Sequence, residues 1–187
     1  MTGTDAVHAA PAAGESAVLV PVPEAERVVG RHRARLDGSA AEGVPAHVTI
    51  LYPFVAPSQI TAATVEVLAA AVGSVSRFDC EFPQTAWFGE EVLWLAPRPD
   101  EPFRALIRAV SAAFPGYPPY DGLVGDVIPH LTVGYRAAGG VADLRAAEAD
   151  IVGALPVRAR VGRAWLMTGT RNPGSWHAVA ELLLAGG

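Results

Sequence analysis

The sequence contains no lysine. All 14 basic residues are arginines, and the 19 acidic residues outnumber them, so the formal net charge is −5. A protein that coats nucleic acid through a broad surface needs many cationic side chains, because neutralising phosphates drives that kind of binding. The charge balance argues against this class. It leaves room for a small nucleotide, or for one RNA 3′-end held at a local patch.

Cysteine and long apolar runs are also scarce. Cys80 is the only cysteine, so no internal disulfide can form, and we expect a small buried side chain there. No apolar run approaches the ~20 residues that cross a bilayer. Residues 1–15 have neither a basic start nor an apolar run, so we interpret them as a flexible tail and not as a signal peptide. We expect a cytoplasmic monomer that makes no membrane contact.

Sequence motifs for metals and nucleotide cofactors are missing as well. The chain has no His-x-His, no His-Glu-x-x-His and no Asp-rich loop, so it offers no recognisable metal site. It also lacks a Walker loop and a Gly-x-Gly-x-x-Gly segment. We therefore expect no metal ion and no cofactor, and the missing Walker loop argues against an ATP-using ligase.

One short pattern occurs twice, once in each half of the chain. It reads His47-Val48-Thr49-Ile50 in the first copy and His130-Leu131-Thr132-Val133 in the second. The apolar and β-branched residues favour a strand, on which alternate side chains share a face. Histidine and threonine of each copy then point the same way. Two facing copies would bring two imidazoles and two hydroxyls to one small anionic group.

This set of side chains suits phosphoryl chemistry without a metal. A neutral histidine can take a proton from the attacking oxygen while a protonated one gives a proton to the leaving oxygen. The unperturbed histidine pKa of about 6.5 allows one neutral and one charged ring near neutral pH. The hydroxyls can hold the non-bridging oxygens as charge shifts in the transition state.

Both copies resemble the motifs of the 2H phosphoesterase superfamily, also called the 2′-5′ RNA ligase or LigT-like family. The family's hallmark is two His-x-Thr/Ser-x motifs, and both match here. The resemblance covers about residues 16–184. It includes residues 43–54, 92–97 (VLWLAP), 118–122 (PPYDG) and 129–134.

The resemblance implies an α+β fold built from a duplicated unit. In that family two lobes, each an antiparallel sheet with helices outside, form a central cleft with one motif from each lobe. Residues 16–187 then make one bilobal domain. The implied roles are catalysis for His47 and His130, and phosphate binding for Thr49 and Thr132.

The activity that the resemblance implies is hydrolysis of a 2′,3′-cyclic phosphate, on a nucleotide or an RNA end, to a 2′-phosphate. Three alternatives stay open. They are 2′-5′ RNA ligation, action of the same fold on another small phosphodiester, and a nucleotide- or RNA-binding module that has kept the cleft but lost the chemistry.

Five further residues are candidates for contact with the substrate. Arg33 lies on the basic face of a helix predicted over residues 24–36, where it reaches the phosphate, holds Asp37 or belongs to a solvated face. Trp87 and Phe88 lie at a loop edge and could stack on a base.

Tyr52 and Tyr135 each follow a motif histidine by five positions. Strict strand alternation sends both into a core, which is the interpretation we favour. A bulge next to Pro53 or Gly134 would instead turn them toward the cleft as possible base-stacking groups.

The predicted order of elements is β-α-β-α-β-β-α-β-α-β-β. The first strand covers residues 16–22 and is expected inside a sheet, because it is almost entirely apolar. Residues 157–167 are predicted as one long strand. A proline-rich loop over residues 115–125 carries Tyr117 and Tyr120 toward the second motif.

Overall fold

The computed structural model describes residues 14–122 and 127–186. Most of the predicted tail, residues 1–13, lies outside this range. Glu15, which was predicted to end the tail, instead begins the first strand. Cys80 is buried and unpaired.

Eight strands in the described part of the chain form two antiparallel sheets of four strands each. The strands are β1 (Glu15–Pro21), β2 (His47–Leu51), β3 (Phe78–Phe88), β4 (Val92–Arg98), β5 (Leu131–Tyr135), β6 (Val157–Val161), β7 (Arg163–Gly169) and β8 (His177–Leu183). The first sheet has the order β2-β1-β7-β8, and the second has the order β5-β4-β3-β6. Each motif strand is therefore an edge strand, and β1 is an interior strand, as its apolar sequence predicted.

Five α-helices accompany the sheets in the described residues. They are α1 (Pro23–Leu36), α2 (Gly38–Glu42), α3 (Ala62–Gly73), α4 (Glu101–Ala113) and α5 (Arg136–Val152). Two of the helices connect strands of one sheet but pack against the other sheet. Helix α1 connects β1 to β2 but packs on β5 and β6, whereas α4 connects β4 to β5 but packs on β2. The strand–helix–motif-strand unit thus occurs twice, as the duplicated fold requires.

Apolar side chains on one face of each sheet join the helices in a single core. Val20 and Val48 contribute from the first sheet, Leu95 and Leu131 from the second, and Phe103 from α4, all fully buried. A smaller cluster lies on the opposite face of the first sheet, and we call it the cleft cluster. It consists of Ala17, Leu19, Val44, Met167 and Trp176.

The prediction of one strand over residues 157–167 is wrong. The segment breaks at Gly162, so that β6 pairs with β3 in the second sheet and β7 pairs with β1 in the first. The alternation of buried and exposed residues changes phase at Gly162, so that Val161 is the buried residue before the break and Ala164 the first one after it. This change of phase does not show which sheet each segment joins. The separation is decided by the two different partner strands.

Candidate active site

The two motif strands approach each other where the edges of the sheets meet. His47 and Thr49 point from β2 into a cavity of about 630 Å³, and His130, just before β5, and Thr132 line the same cavity. The apolar residues between them, Val48 and Leu131 among others, are fully buried in the core. The predicted juxtaposition of two imidazoles and two hydroxyls is therefore present.

The two imidazoles are held in the same way. His47 Nδ1 lies 2.7 Å from the Pro45 carbonyl oxygen, and His130 Nδ1 lies 2.7 Å from the Ile128 carbonyl oxygen. A carbonyl oxygen can only accept, so each Nδ1 carries a hydrogen and donates it. In the neutral ring, Nε2 is then left with its lone pair. Both rings consequently offer Nε2 for proton transfer.

Their surroundings make both histidines weaker bases than a free imidazole. Burial, with the nearby Arg33 guanidinium as the second cause, lowers the pKa of His47 to about 4. Burial also lowers the pKa of His130. The His130 ring packs edge-on against Phe88, with centroids 5.0 Å apart, and against Trp94 at 5.8 Å. These aromatic rings keep its imidazole in one orientation.

A β-bulge follows the threonine in the first motif. Leu19 of β1 pairs with Thr49, but the preceding Val18 pairs with Leu51, so Ile50 is an extra residue in β2. Ile50 and Leu51 are both buried, and alternation resumes one position later. This shift turns Tyr52 toward the cleft.

The second motif contains the same bulge. Trp94 pairs with Thr132 and Leu93 pairs with Gly134, so Val133 is the extra residue. Packing also requires a glycine at position 134, because a Cβ there would lie 2.5 Å from the Leu36 side chain. The bulge turns Tyr135 toward the cleft.

The favoured core-packing interpretation of Tyr52 and Tyr135 is therefore wrong, because both side chains line the cavity. The Tyr52 hydroxyl donates to Glu15 Oε2 at 2.8 Å, and burial together with this carboxylate raises its pKa to about 12. Tyr135 is 43% exposed and interacts with the Thr132 hydroxyl. The partial burial of its side chain in the cleft raises its pKa, so its phenol stays protonated.

Tyr120 is a site residue that the sequence did not single out. It lines the cavity, and its phenol interacts with the Thr49 side chain. Burial raises its pKa, so this hydroxyl also remains a donor. Tyr120 and Asp121 have φ values of 52° and 54°, a left-handed conformation that non-glycine residues rarely adopt. The PPYDG segment before the second motif was the available signal.

Arg33 does not line the cleft. It is 2% exposed and lies behind the first motif, where its Nε and Nη2 donate to Asp37 Oδ2 at 3.0 and 2.9 Å. Its Nη2 also donates to the Val44 carbonyl oxygen at 3.2 Å. Of the roles considered for Arg33, the geometry corresponds to holding Asp37 and the loop that leads into β2.

Trp87 and Phe88 lie on opposite faces of β3, as strand alternation requires. Phe88 lines the cleft beside His130. Trp87 points toward α5, where its Nε1 donates to Glu148 Oε1 at 2.9 Å and Arg145 covers its ring. Only Phe88 of this pair is placed to touch a substrate in the cleft.

Within residues 14–122 and 127–186, no helix has the length and apolar character of a membrane span. No three His, Cys, Asp or Glu side chains of those residues lie close enough together to share a metal ion.

A known protein family matches most of this chain. The model of the 2′-5′ RNA ligase superfamily matches residues 20–173, which include both motifs. The chain belongs to the 2′-5′ RNA ligase superfamily. The match confirms the resemblance to the 2H phosphoesterases that the two motifs indicated. Among curated proteins, none matches the sequence significantly.

Solved structures share the fold of this superfamily member at low sequence identity. E. coli LigT complexed with 3′-AMP is similar with a TM-score of 0.56 and 16% identity, over 92% of this chain and 99% of LigT. The protein TT0787 of Thermus thermophilus is similar with a TM-score of 0.59 and 15% identity, over 92% and 98% of the two chains. These matches confirm the α+β fold with two antiparallel sheets.

Proposed function

We propose that the protein is a metal-independent phosphodiesterase that opens a 2′,3′-cyclic phosphate, on a nucleotide or an RNA end, to leave a 2′-phosphate. One observation carries the proposal. His47 and His130 stand in one cleft with Nδ1 bonded to a backbone carbonyl, so both Nε2 atoms serve proton transfer, and each has a threonine hydroxyl beside it.

The charges around the histidines support different roles for the two rings. Arg33 lies near His47 and opposes a second positive charge there, in addition to the effect of burial. His47 is therefore the better candidate for the neutral base. His130 has no such cation among the causes that lower its pKa, so it is the better candidate for the protonated acid.

In the proposed reaction, water attacks phosphorus and passes one proton to His47 Nε2. The new P–O bond forms as the bond to the ribose O3′ breaks, and His130 Nε2 gives its proton to that oxygen. Thr49 and Thr132 donate to the non-bridging oxygens, and the Tyr120 and Tyr135 phenols lie beside them as further donors. Proton exchange with solvent then restores both rings.

Nucleotides are supported as ligands by the solved relatives, since E. coli LigT has been crystallised with 3′-AMP, ATP and NADP⁺. Hydrolysis is favoured over 2′-5′ ligation, because ligation needs a second RNA end in place of water. Among the described residues that line the cleft, Arg171 is the only arginine, and it lies 3.5 Å from the Glu15 carboxylate. The cleft thus offers little positive charge for a second strand.

The test is incubation with the four 2′,3′-cyclic nucleotides and with RNA ending in a cyclic phosphate, in EDTA. Chromatography then distinguishes 2′- from 3′-phosphate products. We expect the 2′-phosphate. A folded protein that turns over none of these substrates contradicts the proposal, and tight nucleotide binding without turnover would favour the binding module.

A further inference from the structure

The cleft extends well beyond the two motifs along β1. Leu19 lies opposite Thr49 in the sheet, and Ala17 and Glu15 follow on the same face. Each step of two residues adds about 6.7 Å, so Glu15 lies about 13 Å along the strand from the level of Thr49. A phosphate group would occupy only the motif end of the cavity of about 630 Å³. The remainder has room for a further part of the substrate.

An aromatic wall stands beside this extension. Trp176 is 8% exposed and lines the cavity, and it lies flat against β7, since a Cβ at Gly169 would be 2.4 Å from its ring. The Trp176 backbone N–H donates to the Glu42 carbonyl oxygen at 2.9 Å. Tyr52 packs against the same cleft cluster. The apolar surface of the cleft cluster and the fixed indole ring are together suited to bind a flat aromatic ring.

The polar groups of this extension are arranged for hydrogen-bond donors rather than for anions. Glu15 is occupied, because it accepts from Tyr52 at 2.8 Å and lies 3.5 Å from Arg171. The half-buried Glu42 carboxylate lines the cavity and forms no hydrogen bond or close ion pair among the described residues, although it contributes to the raised pKa of Arg171. A carboxylate in this position accepts from N–H groups and repels a further phosphate.

We infer that the region bounded by Trp176, Tyr52 and Glu42 is a subsite for an uncharged aromatic ring bearing an amino group, such as adenine, cytosine or guanine. The inference rests on the proposed function, because the ring would belong to the nucleotide whose cyclic phosphate lies between the histidines. Uracil, which presents a carbonyl oxygen where cytosine carries its amino group, is the disfavoured base. The subsite therefore makes the enzyme selective among nucleotides.

The experiment compares kcat/KM for 2′,3′-cyclic AMP, CMP, GMP and UMP. A hydrogen bond to a charged group predicts a preference of about tenfold or more for the three amino-bearing bases. In Glu42→Gln the carboxamide can also donate to a base carbonyl, so the ratio of cyclic CMP to cyclic UMP should fall close to one. Glu90→Gln, in the exposed turn after β3, is the matched control and should keep the wild-type ratio.

Trp176→Leu gives a second readout. It should raise KM for every cyclic nucleotide while the inhibition constant of inorganic phosphate stays unchanged, because phosphate needs only the motif end. Circular dichroism verifies the fold of this variant.

Equal kcat/KM for all four nucleotides, or an unchanged ratio in Glu42→Gln, overturns the subsite and leaves the phosphodiesterase proposal standing. If no cyclic nucleotide reacts, the affinities for AMP, CMP and UMP, measured by calorimetry, test the subsite independently of the activity. Tighter binding of AMP and CMP would keep the subsite and reject the activity, whereas equal affinities would reject both.

Discussion

The backbone N–H of Tyr120 donates to the carbonyl oxygen of Tyr52 at 2.7 Å, so the loop before the second motif is attached to the end of the first. This bond holds Tyr120 in its left-handed conformation with its phenol beside Thr49. Tyr120, from the second half of the chain, thereby places its hydroxyl beside that of Thr49, from the first half.

Tyr120→Phe should lower kcat/KM by about three- to tenfold, because one neutral hydrogen bond is lost. The backbone hydrogen bond to Tyr52 does not depend on the phenol, so the loop should stay in place. Tyr117→Phe is the control, since Tyr117 packs against Phe54 and does not line the cleft. Equal rates for wild type and Tyr120→Phe would remove Tyr120 from the site.

His47→Ala and His130→Ala should each lower kcat by about 10²–10⁴-fold with little loss of stability, since general acid or base catalysis is worth that much. His177→Ala is a matched control. Its Nδ1 lies 3.1 Å from the Ser175 carbonyl oxygen in the same local geometry, but it is exposed and outside the cleft. Near-normal turnover in either motif variant would exclude the paired mechanism.

Thr49→Val and Thr132→Val keep the side-chain shape but remove the hydroxyl. Each should raise the barrier by about 1–3 kcal/mol if the hydroxyl holds a phosphate oxygen. Serine at either position retains the donor and should restore most of the rate. Steady-state kinetics on one cyclic nucleotide checks both, and turnover unaffected by valine would mean that the hydroxyls are merely strand-edge groups.

The pH dependence follows from the lowered histidine pKa values. The free enzyme needs one proton on the pair, so kcat/KM should be bell-shaped. Its acid limb should lie near pH 4 and its basic limb below about 6.5, each belonging to the coupled pair. The anionic substrate stabilises the protonated rings and raises both pKa values, so kcat should peak at higher pH. A profile with one acidic limb that EDTA abolishes would instead indicate a metal-bound hydroxide.

Asp37→Asn should lower the free energy of unfolding by about 3 kcal/mol or more, because it removes the buried partner of the Arg33 guanidinium and leaves only the more distant, part-exposed Glu26 carboxylate at 3.8 Å. Both side chains of the pair are almost fully buried. Urea unfolding measures the loss. Arg108→Ala, which breaks the exposed pair with Glu101, should cost less than about 1 kcal/mol by comparison. Similar losses in the two variants would contradict a structural role for the Arg33–Asp37 pair.

The local sequence pattern was sufficient to predict the two motif strands and which of their side chains are buried. Alternation along His47-Val48-Thr49 and His130-Leu131-Thr132 places imidazole and hydroxyl on one face and the apolar residue in the core, and this depends only on strand geometry. The apolar run of β1 likewise predicted an interior strand. Family resemblance, rather than spacing, supplied the two-lobed arrangement.

Long-range contacts decided what the pattern could not. The bulges that turn Tyr52 and Tyr135 into the cleft arise from pairing with β1 and β4, and the break at Gly162 arises because β6 and β7 pair in different sheets. The placement of Tyr120 beside Thr49 likewise depends on partners far away in the chain. Residue order alone establishes side-chain alternation, whereas register, bulges and sheet membership depend on which distant strand supplies the hydrogen bonds.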